Sequence, residues 1–312
     1  MKKTLLMVAF AAVCSVAQAK ILRVNNTTGS GAPYTTINDA LEVAETGDTI
    51  MVDGSNTNYG NVAIDKRIVL IGPGYWRTEN GISAEGAVDA QLGTVTLSTT
   101  AEGTVLRGLH MTGTVTVASS KTIINRCHLE KATTLKSTAD NCILHQNFIH
   151  YGIQGESGSK YTTYTELTNN LLDVDSYSRT PFLYLDGAYI AYNTIAYDGR
   201  EYVAMKNCTN CTVEKNIMPK IGNISTCSYI DNCEYGTSQK PWKGWTTDLD
   251  IKNKKIDTDV AIPMEGKGAF AGDDPYVISG IPAGPVIQDV TVPASVEQGN
   301  NLNITIKLGV QK

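Results

Sequence analysis

The chain has 312 residues, of which 42% are hydrophobic and 18% charged, with a formal net charge of −5. A mildly acidic chain of this kind carries no nucleic-acid footprint, and it offers no broad positive field for a polyanion, although local basic clusters can still supply one. After the N-terminus there is no apolar run of the ~20 residues that a membrane-spanning helix needs.

The N-terminus reads as a secretory signal. Lys2 and Lys3 precede an apolar run from Leu5 to Val13, and Ala17-Gln18-Ala19 supplies a small-residue cleavage site. Cleavage near Ala19 would leave 293 residues in an exported compartment, whether periplasmic, outer-surface or extracellular. Cys14 offers lipid attachment as the alternative, with Val13 a poor fit to the small residue such processing needs. The division expected is 1–19 signal, 20–280 main domain with caps, and 281–312 linker and lone strand.

Ile37, Ala40, Leu41 and Ala44 fall at helical spacing, with Thr35 or Thr36 as N-cap and Gly47 as the stop. Short strands follow at 50–52, 62–64 and 68–71. Residues 73–93 are rich in Gly and polar groups and read as a projecting loop.

From about Thr94 to Tyr235 one pattern repeats: apolar, two residues, Asn, one residue, apolar. The asparagines stand at 147, 170, 193 and 216, each 23 residues after the last. Earlier segments fit with Leu109 and Cys127 at the Asn position, and a later one with Cys233, so the full spacing is 18, 20, 23, 23, 23 and 17. A period near twenty calls for a solenoid. The segments are rich in Ile, Leu, Thr and Tyr and are cut by Gly, Asn and Asp, which reads as strands and turns. Leucine-rich repeats share the period, but their spacing is not sustained. A parallel β-helix is expected, with equivalent residues stacked ~4.8 Å apart. Asn147, Asn170, Asn193 and Asn216 would turn one corner and bond to each other as a buried ladder, with Cys127 and Cys233 ending it. Residues 236–267, with Trp242 and Trp245, read as an irregular far-end cap. "NLNITIKLGV" (301–310) alternates like a lone strand.

The asparagine ladder, "YTTINDALEVAETGDTIMVDG" (34–54) and "NVAIDKRIVLIGPGY" (61–75) together resemble the right-handed parallel β-helix proteins of the pectin-lyase-like superfamily. The resemblance covers about residues 21 to 235, and "GAFAGDDPYVISGIP" (268–282) is similar to the closing segment of some bacterial members. It implies an all-β, right-handed parallel β-helix with an N-terminal helical cap. Lyases, glycoside hydrolases, adhesins and inert structural proteins all share that fold, so it does not choose a function.

Stacking turns sequence columns into spatial neighbours. Glu130, His150 and Asp173 occupy successive rungs three residues after the ladder position. A His between two carboxylates has its charged form favoured and suits general-acid work. Asp175 and Asp198 stack two columns on and repel unless one is protonated or a cation such as calcium is held. Tyr151 and Tyr197, in the column between, suit a sugar ring. Nine of the fifteen tyrosines lie between 151 and 202. One exposed patch of these residues is expected, though any solvated face also needs polar columns. His110 and His128 stack one residue after the ladder position and read as ordinary surface residues.

The resemblance implies, for a lyase, an Arg or Lys base and calcium held by acids. Arg179 and Arg200 follow Asp175 and Asp198, but no local lyase motif accompanies them. Six cysteines remain after cleavage, and "CTNC" (208–211) reads as buried stacking residues or one bridge to Cys227. The expectation is a non-catalytic, glycan-binding or structural surface protein. The alternative is a polysaccharide lyase or glycoside hydrolase.

Overall fold

The computed structural model describes residues 19–79, 87–156, 160–174, 180–197, 203–219, 224–235 and 266–282, and in the tail 284–291, 295, 301–302 and 304–311. Among these, strands stack into parallel sheets of ten, eight and seven strands, called here sheets 1, 2 and 3. Each coil of the chain visits sheet 1, then 2, then 3, as in Ile123–Asn125, His128–Leu129 and Thr133–Leu135. The next coil repeats them at Ile143–His145, Phe148–Ile149 and Ile153–Gly155, in register with the first. This is a right-handed parallel β-helix.

The apolar columns point inward. Leu106, Ile124, Leu144, Leu167, Ile190 and Val213 form one from sheet 1, and Met111, Leu129, Ile149, Leu172, Ile195 and Met218 one from sheet 2, all fully buried. They meet in one continuous core.

The corner between sheets 1 and 2 differs in detail from the one expected. The residue that turns left-handed is the one before each ladder asparagine: Gln146, Asn169, Tyr192 and Lys215 have φ of 56°, 52°, 54° and 52°. Such a conformation disfavours a side chain, so the corner needs compensation. Each asparagine supplies it. Asn170 Oδ1 accepts from the Asn147 backbone N–H at 2.9 Å and from Asn147 Nδ2 at 3.0 Å. Its own Nδ2 donates to the Leu144 carbonyl at 2.8 Å. Asn193 and Asn216 repeat the scheme, and all four side chains are fully buried.

Cys127 ends the ladder on one side, its N–H donating to Asn147 Oδ1 at 2.9 Å. On the other side Cys233 does not end it. Asn232 continues it, accepting from Asn216 N–H at 3.0 Å and donating to the Val213 carbonyl at 2.7 Å. Ile217 pairs with Cys233, so the last coil is one residue shorter than the apolar pattern suggested. Cys208 and Cys211 are buried thiols, and no disulfide occurs among the described residues.

Helix α1 (Ile37–Val43) is capped by Thr36, whose Oγ1 accepts from Asp39 N–H at 3.1 Å. It ends before Gly47, because Ala44 is already extended. Ile37, Ala40 and Leu41 enter the core beside the first strands. The Asp48 carboxylate, buried nearby, accepts backbone N–H groups from Glu45 and Lys20, both at 2.8 Å. These two bonds, Glu45 first, hold its pKa below the ordinary value. A depressed carboxylate stabilises the fold above its unfolded pKa of ~4, and that contribution is lost as pH falls through the folded value. The melting temperature of the native protein should therefore fall more steeply on acidification below about pH 5 than that of Asp48→Asn. Parallel slopes would show that the two bonds carry no pH-linked stability.

The tail departs from expectation too. The strand Thr305–Gln311 is not alone but pairs antiparallel with Gly284–Thr291. The expected far-end cap with Trp242 and Trp245 lies outside the described residues. Among the described residues no helix is long and apolar enough to cross a membrane.

Candidate functional site

Sheet 2 carries side chains of interest on its outer face. Strands covered on both sides lose the alternation of a half-exposed sheet, and Leu171–Val174 is buried at all four positions. Two excursions provide the cover. Tyr75 and Trp76 fold over from the loop read as projecting, and residues 266–282 run back along the solenoid as a strap. Phe148, Leu171, Ala196, Ala269 and Tyr276 join Tyr75 and Trp76 in a second apolar cluster outside the main core.

The strap grips the left-handed corner column. Asn169 Nδ2 donates to the carbonyls of Ala269 and Ala271, Gln146 Nε2 to those of Asp274 and Pro275, and Arg126 Nη1 to that of Ile281. The side chains that the strained corner turns outward thus satisfy the backbone of a segment with little regular structure.

The outer face of sheet 2 brings Glu130, His150 and Asp173 onto successive strands, as the register implies. His150 Nδ1 lies 3.5 Å from Asp173 Oδ2. They do not form an exposed patch: Asp173 is buried, and His150 and Glu130 are half-buried. His110 and His128 also differ from expectation. Neither is a surface residue, at 3% and 0% exposure. The histidine set between two carboxylates is His110. Its Nδ1 lies 3.0 Å from Asp89 Oδ2, and its Nε2 lies 2.7 Å from Glu130 Oε1. Burial pulls its pKa down, but the bonds and charges of the two carboxylates outweigh this and raise it. Glu130 answers in kind: burial pushes its pKa up, and the bond to His110 brings it below the ordinary value. Asp89 is itself fixed, with Oδ1 accepting the Trp76 N–H at 3.0 Å. His110, His128 and Glu130 each offer one atom within 4.8 Å of the others.

Beyond this row, where sheet 2 turns into sheet 3, the surface opens into a groove of about 490 Å³. Lys131, Tyr151, Gln154, Tyr184, Lys206 and Asn207 line it. They come from consecutive coils, so the groove follows the solenoid axis. Lys131 and Tyr151 directly follow Glu130 and His150 in sequence, and the Lys131 ammonium stands 5.4 Å from the centre of the Tyr151 ring. Tyr161 packs edge-on against Tyr184 at 6.2 Å. No carboxylate is among the described residues that line the groove.

Tyr151 is therefore in the groove, as its proposed sugar contact requires. Tyr197 pairs through its backbone with Val174, and its side chain lies outside the described residues, as do Asp175, Arg179, Asp198 and Arg200. Tyr189 and Tyr192 line a different concavity, on sheet 1 beside Asp273 and Asp274 of the strap. The tyrosine-rich stretch thus serves two faces of the same coils. Lys131, Tyr184, Lys206 and Asp89 escaped the sequence reading. Lys131 could have been found, because it sits beside Glu130 as Tyr151 sits beside His150. Asp89 could not, because its loop has no place in the repeat.

Comparison of the chain with protein-family models, with curated proteins and with solved structures yields no match.

Proposed function

We propose that the chain is an exported β-helix protein that binds an acidic polysaccharide along the groove of sheet 3, without cleaving it. The observation that carries this reading is the lining of the groove. Two tyrosine rings, two lysines and amide groups line it, with no carboxylate among the described residues of the lining, on a chain whose net charge is −5. Aromatic faces take the apolar faces of sugar rings, and lysines take uronate carboxylates. The described lining spans five coils, from Thr114 to Lys206, or roughly 19 Å at ~4.8 Å per coil. That suits a polymer lying along the axis better than a single sugar.

The resemblance to pectin-lyase-like proteins agrees with a polysaccharide partner. Export draws support from Asp48: cleavage after Ala19 would make the Lys20 nitrogen a terminal ammonium, and that nitrogen already lies 2.8 Å from Asp48 Oδ1.

Calorimetric titration with a uronic-acid oligomer and with a neutral glucan oligomer tests the proposal. The acidic oligomer should bind and the neutral one should not. Tyr151→Ala should weaken binding about tenfold, or about 1.4 kcal/mol, and raising the salt should weaken it further. No binding by the native protein, or equal binding by the variant, would reject the groove. New absorbance from an unsaturated product during the titration would show a lyase instead.

A further inference from the structure

We propose that His110, His128 and Glu130 form a binding site for one divalent transition-metal ion of the zinc type, independent of the glycan groove. The register of sheet 2 builds it. His110 and His128 are paired on adjacent parallel strands, with their rings stacked at 4.2 Å and 27°. Glu130 lies two residues after His128 and so projects from the same face. One ligand atom from each residue lies within 4.8 Å of the others. A tetrahedral ion bound at ~2.0–2.2 Å holds its ligand atoms roughly 3.3–3.6 Å apart, so His110 Nε2 and Glu130 Oε1, 2.7 Å apart without an ion, would separate around it as the side chains turn.

Three further features fit an ion. Asp89 Oδ2 faces His110 Nδ1 at 3.0 Å. A carboxylate there fixes the tautomer with its proton on Nδ1 and leaves Nε2 as the donor to a metal, which is the usual support behind a ligating histidine. Asp89 is anchored in turn by the Trp76 N–H. The site is also dry on one side and open on the other. Trp76 packs edge-on against His128 at 4.4 Å, while the Glu130 side chain retains 35% of its exposure and gives an ion a way in. His150, whose ring lies 5.1 Å from that of His128, borders the site on the next strand. Two imidazoles and one carboxylate suit zinc, cobalt(II) or iron(II) and suit calcium poorly, since calcium takes six to eight oxygen ligands.

The test is a titration of the chelator-treated full chain with zinc and with cobalt(II). One equivalent should bind, and cobalt should show the visible absorption of a low-symmetry nitrogen and oxygen site. Glu130→Gln, nearly unchanged in shape, should lower affinity at least tenfold. Asp89→Asn should lower it 10- to 100-fold through His110. His145→Ala, on sheet 1, should leave it unchanged. Circular dichroism establishes that each variant is folded, and if His110→Ala is not, Glu130→Gln and Asp89→Asn still decide. Failure of the native chain to take up one equivalent, or undiminished binding by folded Glu130→Gln and Asp89→Asn, overturns the site.

Discussion

Replacing Asn170 with Leu should destabilise the solenoid markedly. The side chain has the volume to fit, so packing is not the main cost. Four polar groups lose a bond instead: the Asn147 N–H, the Asn147 side-chain amide, the Leu144 carbonyl and Asn193 Oδ1. The Asn147 N–H directly follows the left-handed Gln146, outside the paired strand Ile143–His145 that holds the Leu144 carbonyl. A buried unsatisfied group costs ~1–3 kcal/mol, and the Asn147 N–H is the backbone group left in that state. In a chain of this size that is a fall of about 2–5 °C in melting temperature. Position in the ladder sets the size of the effect. Asn232, at the end and half-buried, should cost much less when changed to Leu. Calorimetric melts of the two variants check this, and equal shifts would mean that the ladder is not the source of the stability.

Replacing Gly280 with Ala should release the strap while leaving the coils folded. Gly280 has φ of 54°, and a Cβ there would stand 2.2 Å from the Arg126 carbonyl oxygen and 2.6 Å from the Tyr75 ring. A backbone oxygen in a stacked coil cannot move aside. The left-handed conformation adds ~1–2 kcal/mol for a residue with a side chain, and the collision adds to it. The weaker partner gives way, and that is the strap, which has no sheet ladder to the coils and is held by side-chain bonds, two backbone bonds and the second apolar cluster. Amide exchange across 266–282 should quicken about 100-fold, or about 3 kcal/mol, while exchange in the inward-facing strands stays slow. Exchange unchanged in both regions would show that the strap tolerates a Cβ and that its fit to the corner is loose.

What the sequence revealed follows from what repeats. The inward columns and Asn147, Asn170, Asn193 and Asn216 recur at a fixed interval, so one misplaced residue would have broken the pattern visibly. The burial of Glu130, His150 and Asp173 does not recur, because it is set by segments far away in the chain. Tyr75, Trp76 and Tyr276 cover the outer face of sheet 2, and no periodicity within the coils announces a lid from outside them. For the same reason His110 and His128 read as surface residues. The register of the last coil is not legible in the sequence, because Ile230 and Cys233 mimic the apolar pattern one residue away from Tyr229 and Asn232, and only strand pairing separates the two registers. The groove was half legible: Tyr151 came from the tyrosine-rich stretch, but Lys206 is isolated in sequence and acquires meaning only when its coil stacks on that of Tyr184.

The most direct measurement is a glycan array probed with the native chain and with a Tyr151→Ala, Lys206→Ala double variant. The account predicts that the native chain is retained on uronate-bearing glycans and not on neutral ones, and that the folded double variant loses that retention. A native chain that binds no glycan, or a double variant with the same pattern as the native, would contradict it.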